Sequence, residues 1–250
     1  MRITFLGTGT SRGIPVVGCD CSVCNSRDPR NRRLRCSLLI ESEATVVIDT
    51  SADFREQMLR SRVNRLDAIV YTHHHMDHVL GLDDVFPYSV RSDEALPFYA
   101  SEQTLAELKI TFRHLFNSNP GRRVARLLPH IIKGPFSIKD LEFEPIEVYH
   151  GEMPVFGFRI ADFAYVTDVN RIPPESLSRL RGLDCLVLDG LQFKSHRTHF
   201  SIGEALEVIE ELAPKRAFLV HMSHAVDHST ANAGFPRGVE LAYDGLQLEF

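Results

Sequence analysis

The sequence lacks the features that mark several large classes of protein. No apolar run reaches the ~18 residues that a membrane-spanning helix needs. With 15 Gly and 13 Pro among 250 residues, the composition excludes collagen-like and low-complexity chains. Positive charge is not in excess, because 28 Lys and Arg stand against 33 Asp and Glu and leave a net charge of −5. The whole chain therefore has no general attraction to nucleic acid or to an anionic membrane.

Targeting segments, linkers and repeats are also missing. The first residues lack the basic flank, apolar core and small-residue cleavage site of a signal peptide, so the cytoplasm is the expected location. No stretch rich in Gly, Ser or Pro divides the chain, and no repeat of about 20–50 residues is evident. Since the length suits one α/β domain, we expect a single domain over 1–250, built from two similar halves at about 1–135 and 136–250.

Hydrophobic periodicity predicts the fold class. Short apolar runs rich in β-branched residues, each bounded by turn residues, predict strands along the whole chain. Helical periodicity is clear at residues 54–62, 104–116 and 202–212, and Ser201 with Glu204 predicts a capping box for the last of these. Strand pairs come first in each half and then alternate with helices. This order predicts an α/β fold with two sheets packed face to face and helices outside.

Three of the five cysteines are crowded into Cys19-Asp-Cys21-Ser-Val-Cys24. An odd total and such close spacing are not typical of a disulfide framework. The cluster instead indicates a metal bound by thiolates. Cys36 and Cys185 lie in apolar surroundings and are interpreted as small buried hydrophobic residues.

A second group of metal-ligand side chains follows the apolar strand that begins at residue 68, in His73-His-His75-Met-Asp77-His78. Because alternate residues of an extended segment face the same way, His73 and His75 can converge on one ion. A tightening chain would aim Asp77 and His78 at a second ion about 3.5–4 Å away, the spacing of two-metal hydrolytic sites.

Three further strands each end on one candidate ligand. The same pattern, an apolar strand followed by one His or Asp, occurs in Glu147-Val-Tyr-His150, Tyr165-Val-Thr-Asp168 and Phe218-Leu-Val-His221. Together with the first group, these strand ends supply enough ligands for two ions.

The motif His73-x-His75-x-Asp77-His78, followed by His150, Asp168 and His221 in this order, resembles the metallo-β-lactamase superfamily nearly end to end. The resemblance implies a four-layer αββα sandwich with a dinuclear site at one edge of the sheets. It also implies that one ion is held by His73, His75 and His150, the other by Asp77, His78 and His221, with Asp168 bridging. Asp49 falls where the superfamily commonly has an acid behind the ligands, although an aspartate at a turn is an equally good interpretation.

The N-terminal segment Gly7-Thr-Gly9-Thr-Ser11 and the cysteines after it resemble the phosphoribosyl cyclic phosphate phosphodiesterase (PhnP) group of that superfamily. In this group three cysteines and a late histidine hold a structural zinc, and the resemblance implies Cys19, Cys21, Cys24 and His224 here. Three thiolates and one imidazole close a tetrahedral Zn²⁺ sphere and leave no position for substrate.

The predicted chemistry combines two ions with an acid. Two close divalent cations lower the pKa of a shared water, so the hydroxide that they hold is the nucleophile near neutral pH. An expelled sugar oxygen needs a proton donor. The resemblance implies that His199 is this general acid and that Asp77 is also catalytic, with His196 a weaker local candidate for the same role.

We therefore expect a metal-dependent phosphodiesterase of a small cyclic or diester phosphate, with 5-phosphoribosyl 1,2-cyclic phosphate as the best single substrate. The alternatives are an RNA-processing nuclease similar to tRNase Z and a protein of the pyrroloquinoline-quinone (PQQ) biosynthesis type. The active-site ions are Zn²⁺ or Mn²⁺, with Fe²⁺ also compatible with these ligands, and one further Zn²⁺ is structural. Nucleic acid is not favoured as a partner, no membrane is expected, and a homodimer stays open.

Two runs of arginine are candidates for contact with a substrate phosphate. One spans residues 27–35 and the other residues 122–126. Runs of charge are more often solvated faces, and that interpretation stays open for both.

Overall fold

The computed structural model describes residues 1–91, 94–116 and 124–250. One seven-stranded sheet contains β1 (Arg2–Gly7), β2 (Ser37–Glu41), β3 (Thr45–Ile48), β4 (Ala68–Val70), β5 (Leu96–Ala100), β6 (Leu127–Ile131) and β14 (Gln247–Glu249). Its strand order is β14-β1-β2-β3-β4-β5-β6.

The second sheet also has seven strands. They are β7 (Phe136–Ile138), β8 (Leu141–His150), β9 (Met153–Ile160), β10 (Phe163–Val166), β11 (Cys185–Asp189), β12 (Arg216–Val220) and β13 (Val239–Leu241). They lie side by side in reverse sequence order, from β13 to β7.

Eight α-helices occur in the described residues, most of them short. They are α1 (Phe54–Arg60), α2 (Met76–Val79), α3 (Phe86–Ser89), α4 (Glu102–Thr111), α5 (Arg113–Phe116), α6 (Pro174–Arg179), α7 (Ile202–Leu212) and α8 (His228–Asn232). Two 3₁₀ helices cover Pro29–Asn31 and Leu80–Val85. None of these helices is long and apolar enough to cross a membrane.

The hydrophobic core is divided into layers. Between the sheets, Phe5 of the first sheet packs against Phe218 of the second at a ring distance of 5.9 Å. On the outer face of the second sheet, α7 buries Ile202 and Ile209, and α1 buries Phe54 on the outer face of the first. The layers are therefore helix, sheet, sheet, helix, which confirms the predicted αββα sandwich.

Both sheets change from antiparallel to parallel pairing along the chain. In the first sheet β2 pairs antiparallel with β3, and β3 to β6 are parallel. In the second sheet β8, β9 and β10 are antiparallel neighbours, and β10 to β13 are parallel. Parallel strands end at the same edge of a sheet, so residues that follow them are brought together there.

The structure differs from the sequence prediction in two places. The helix predicted over 104–116 is broken at Phe112, which is buried and has φ −109° and ψ 37°. Ile110 and Thr111, which are β-branched and lose rotamer freedom in a helix, directly precede the break. β14 comes from the end of the chain but joins the first sheet beside β1, so the halves 1–135 and 136–250 do not correspond to one sheet each. The single domain stays a prediction.

Candidate active site

The candidate active site is assembled from chain segments that follow strand ends. His73 and His75 come after β4, His150 ends β8, Asp168 follows β10 and His221 follows β12. In the structure these residues lie next to one another, although they come from both sheets. The ends of these strands thus place the predicted ligands at a common edge.

Three imidazoles form one side of the cluster. The ring of His75 lies 4.6 Å from that of His73 and 4.9 Å from that of His150, and the rings of His73 and His150 are 5.8 Å apart. Burial lowers the pKa of His73 well below its ordinary value. Burial, with the charge of His150, lowers that of His75 to about 4. Neutral imidazoles are the form that binds metal.

Asp168 lies at the centre of the cluster. One carboxylate oxygen, Oδ1, is 3.2 Å from His78 Nε2, and the other, Oδ2, is 3.3 Å from His221 Nε2 and 4.0 Å from His73 Nε2. Asp77 Oδ2 lies 3.5 Å from His78 Nε2 and 3.6 Å from His221 Nε2. Ligand atoms from Asp77, His78, Asp168 and His221 all lie within 4.8 Å of one another. Asp168 therefore faces both halves of the predicted dinuclear site.

A second row of side chains orients these imidazoles. His78 donates from Nδ1 to Asp49 Oδ2 at 2.7 Å, and Asp49 also accepts the hydroxyl and the main-chain N–H of Thr72 at 2.7 and 2.8 Å. Because the Thr72 hydroxyl proton is used in this way, its oxygen accepts from His73 Nδ1 at 2.9 Å. Both rings thus present Nε2 to the site, as metal-ligating histidines do when the other nitrogen is hydrogen-bonded. This geometry supports the interpretation of Asp49 as the acid behind the ligands.

The donor atoms themselves indicate that metal ions fit. His73 Nε2, His78 Nε2 and both ring nitrogens of His221 are buried without a hydrogen-bond partner among the described residues. A buried polar atom left without a partner costs about 1–3 kcal/mol. Three of these atoms, the Nε2 atoms of His73, His78 and His221, lie within 4.0 Å of the Asp168 carboxylate. Cations between them explain this arrangement, because imidazole and carboxylate are ordinary ligands of Zn²⁺, Mn²⁺ and Fe²⁺.

His199 lies directly beside this cluster. Its ring stacks on that of His221 at 4.6 Å and meets that of His150 at 4.5 Å. Nδ1 bonds to Asp189 Oδ2 at 2.7 Å, so Nε2 is the nitrogen left for the site. Burial opposes protonation, but the charge and hydrogen bond of Asp189 outweigh it and raise the pKa of His199 to about 9.

Asp189 is a residue of the candidate site that the sequence did not single out. It ends β11, is fully buried, and also accepts the main-chain N–H of Val169 at 2.9 Å. A signal was present, because Leu186-Val-Leu-Asp189 is another apolar strand that ends on an acid, like the strand that ends near Asp168.

The three clustered cysteines surround one histidine. The Sγ atoms of Cys19, Cys21 and Cys24 lie 3.2, 3.5 and 3.6 Å from His224 Nδ1. The main-chain N–H of Cys24 lowers the pKa of Cys21 to about 6. Three sulfurs and one nitrogen at these separations match the edges of a tetrahedral site with metal–ligand bonds of about 2.0–2.3 Å. The structure thus brings together the four residues that the family resemblance implied, and their donor set fits Zn²⁺.

The two clusters share one segment of chain. Met222 follows His221 and pairs with the loop after β1: its N–H donates to Thr8 at 3.2 Å, and its carbonyl accepts from Thr10 at 3.0 Å. His224 comes two residues later. The cysteine cluster thus braces the segment that carries His221.

Other sequence candidates have structural roles. In the run 27–35, Arg30 pairs with Asp28 at 2.8 Å and Arg35 pairs with Asp53 at 2.9 Å. Arg33 is buried and donates to the carbonyl of Ala242 at 2.7 Å. In the run 122–126, residues 122 and 123 lie outside the described residues. Cys36 and Cys185 are free and buried, as predicted.

The sequence profile of the beta-lactamase superfamily domain matches residues 44–222. The chain belongs to this superfamily. Its fold and its cluster of histidine and aspartate side chains are those of a metal-dependent hydrolase. Within the superfamily the chain is similar to the PhnP group: a solved structure described as a new diphosphatase from the PhnP family is 43% identical, with a TM-score of 0.95. That match covers 100% of this chain and 98% of the other.

Two other proteins are also similar to this chain. An octanoyltransferase from Porphyromonas gingivalis is 36% identical over 99% of this chain, but this chain spans only 51% of its length. The Zn²⁺-bound PqqB of Methylobacterium extorquens is 18% identical, with a TM-score of 0.80 and full coverage of both chains. At that identity the likeness establishes the fold alone.

Proposed function

We propose that this chain is a metal-dependent phosphodiesterase of small cyclic or diester phosphates, with 5-phosphoribosyl 1,2-cyclic phosphate as the leading substrate. The observation that carries the proposal is His199, an imidazole held by a buried carboxylate and placed against two predicted metal ligands. Similarity to a diphosphatase of the PhnP family supports hydrolysis of a phosphorus–oxygen bond.

The residues divide into ligands and an acid. One ion would be held by His73, His75 and His150, and the other by Asp77, His78 and His221, with Asp168 between them. Zn²⁺ or Mn²⁺, with Fe²⁺ as the other candidate, suits these ligands. When bound, two such ions supply an activated water near neutral pH and polarise a phosphoryl oxygen. A third ion, Zn²⁺, would be held by Cys19, Cys21, Cys24 and His224.

His199 holds a proton at Nε2 and aims it at the edge of the ligand cluster. Asp189 accepts the Nδ1 proton, which fixes the ring orientation and stabilises its charged form. The oxygen of a water molecule bonds to phosphorus as the phosphorus–oxygen bond to the leaving oxygen breaks. The leaving oxygen takes the Nε2 proton and becomes a neutral hydroxyl, which in a cyclic substrate stays on the same, ring-opened molecule. Such a proton transfer contributes typically 10²–10⁴-fold to the rate.

The test uses two substrates that differ in the need for that proton. The metal-loaded protein should hydrolyse both ribose 1,2-cyclic 5-phosphate and bis(p-nitrophenyl) phosphate. His199→Ala should lower kcat on the ribose substrate by about 10²–10⁴-fold. It should lower kcat on the aryl diester much less, because p-nitrophenolate leaves without being protonated.

The control is His130→Ala, which removes an exposed imidazole on the edge strand β6 and should change neither rate. Failure of the metal-loaded wild-type protein to hydrolyse either substrate would refute the phosphodiesterase proposal. Cleavage of precursor tRNA with a steep salt dependence, and no cleavage of the ribose substrate, would instead favour the nuclease alternative.

A further inference from the structure

The loop between β11 and α7 brings a second imidazole to the candidate site. His196 is exposed, and its ring centre lies 5.3 Å from that of His199. His199 in turn contacts the rings of His150 and His221. His196 is therefore the next imidazole outward from the ligand cluster, and it belongs to none of the metal-ligand groups in the described part of the chain.

Thr198 fixes the orientation of this outer ring. Its main-chain N–H and its hydroxyl lie 3.4 and 3.3 Å from His196 Nδ1. Its carbonyl accepts from His150 Nδ1 at 2.7 Å. One residue thus holds both the predicted ligand His150 and the outer imidazole, which fixes their relative positions.

The contacts of Thr198 also fix the tautomer of His196. A main-chain N–H can only donate, so Nδ1 of His196 accepts and a neutral ring carries its proton on Nε2. Burial and the charge of His199 lower the pKa of His196, which favours this neutral form. Throughout residues 1–91, 94–116 and 124–250, no side chain or carbonyl accepts from Nε2. A donor of fixed direction is therefore left for a ligand.

The position of this donor follows from the proposed role of His199. If His199 protonates the leaving oxygen, the part of the substrate that carries this oxygen lies on the His199 side of the cluster. We call this part, the sugar and its substituents, the leaving portion. His196 is the next side chain in that direction. Lys194 and Arg197, exposed on the same loop, form no ion pair within the described residues. This cationic stretch favours a leaving portion that carries negative charge.

We propose that His196 is a specificity-determining residue whose Nε2–H donates to an oxygen of the leaving portion, a sugar hydroxyl or a second phosphate. The inference rests on the proposed function and narrows its substrates. The enzyme should prefer a leaving portion that is hydroxylated and anionic over an aryl group of similar size.

The experiment compares His196→Ala and His196→Gln with the wild-type protein. For ribose 1,2-cyclic 5-phosphate, His196→Ala should lower kcat/KM by about 10- to 100-fold, the effect of losing one hydrogen bond to a charged acceptor. For bis(p-nitrophenyl) phosphate it should change kcat/KM less than about twofold. His196→Gln should recover much of the loss, because the glutamine amide nitrogen can reach the position of Nε2.

Equal losses on the two substrates, or no loss on either, would overturn the inference. Equal losses would mean that His196 only supports the loop. If the wild-type protein hydrolyses neither substrate, the proposed function is refuted. The inference about His196 is then tested by the binding of ribose 5-phosphate. Calorimetry with ribose 5-phosphate, a probe of the leaving portion, should show binding at least tenfold weaker in His196→Ala than in wild type. His130→Ala should bind normally, and equal binding by wild type and His196→Ala would exclude the contact.

Discussion

At the scale of single residues, unusual backbone conformations orient three side chains of the candidate site. Asp49, Asp168 and His221 have φ values of 63°, 55° and 61°, in the left-handed region. For residues with a Cβ atom this conformation costs about 1–2 kcal/mol each. Asp49 and His221 come directly after apolar strands, and one residue separates Asp168 from the end of its strand. At these positions a turn of this hand redirects the side chain toward the ligand cluster. Strain of this kind persists where the surrounding structure overdetermines it, commonly at functional sites.

His228 carries a pH dependence of stability. The side chain is 2% exposed, and Nδ1 lies 3.3 Å from Arg33 Nη2, which can only donate. Burial, with the charges of Arg33 and Arg30, lowers the pKa of His228 from 6.5 to about 4. As the pH falls from 6.5 toward 4, the unfolded chain takes up a proton here that the folded chain does not. This residue should therefore lower the free energy of unfolding by about 2 kcal/mol at pH 4.5.

The measurement is urea unfolding of wild type and His228→Gln between pH 7.5 and 4.5. The variant should be less stable at pH 7.5 but should lose less stability than wild type as the medium is acidified. Parallel pH curves for the two proteins would show that His228 does not titrate in this way.

At the scale of elements, the loop between β11 and α7 is anchored at the start of α7. Ser201 Oγ accepts the N–H of Glu204 at 3.3 Å, and Glu204 Oε2 accepts the N–H of Ser201 at 2.7 Å, which confirms the predicted capping box. Phe200, the residue before the cap, donates to the carbonyl of Val169 at 2.6 Å. The capping box and the hydrogen bond of Phe200 together determine the position of His199.

Removal of the cap should therefore affect both stability and activity. Ser201→Ala should lower the free energy of unfolding by about 1 kcal/mol and kcat by several-fold, measured by urea unfolding and by hydrolysis of the ribose substrate. The matched control is Ser101→Ala, which removes the cap of α4, where Ser101 Oγ accepts the N–H of Thr104 at 3.0 Å. The control should lose similar stability and keep its kcat. Equal losses of kcat in the two variants would show that the capping box of α7 does not position His199.

At the scale of the whole molecule, the cysteine cluster joins parts of the chain about 200 residues apart. Cys19 and His224 are 205 positions apart, yet Sγ and Nδ1 lie 3.2 Å from each other. A metal at this position would close a long loop, and structural zinc contributes directly to folding free energy. The same cluster braces the segment that carries His221.

The metal content of the purified protein tests this arrangement. Elemental analysis without added metal or chelator should find three ions per chain in wild type. A variant with Cys19, Cys21 and Cys24 changed to Ser should lose one Zn²⁺ and melt at a lower temperature, whereas His73→Ala should retain one or two ions. Cys185→Ser, which alters a buried cysteine outside both clusters, should keep all three. Unchanged zinc in the triple variant would contradict the cysteine site.

The sequence alone determined what depends on neighbours along the chain. An apolar strand followed by His73-x-His75-x-Asp77-His78 predicts ligands at a strand end, because strand and turn patterns are local. Ser201 and Glu204 predicted their helix start for the same reason. The αββα layers also followed from the order of strands and helices, since few packings can bury such a pattern.

Only the tertiary structure decided which of these residues meet. The pairing of Asp189 with His199 and the double role of Thr198 depend on sheet register and on loops between distant segments. The approach of Cys19 to His224 depends on them too, and before the structure it was implied only by the family resemblance. No periodicity in the sequence encodes such contacts, because they are selected by the packing of the whole molecule. The same holds for β14, three residues long, whose place beside β1 is fixed by its partner strand and not by its own pattern.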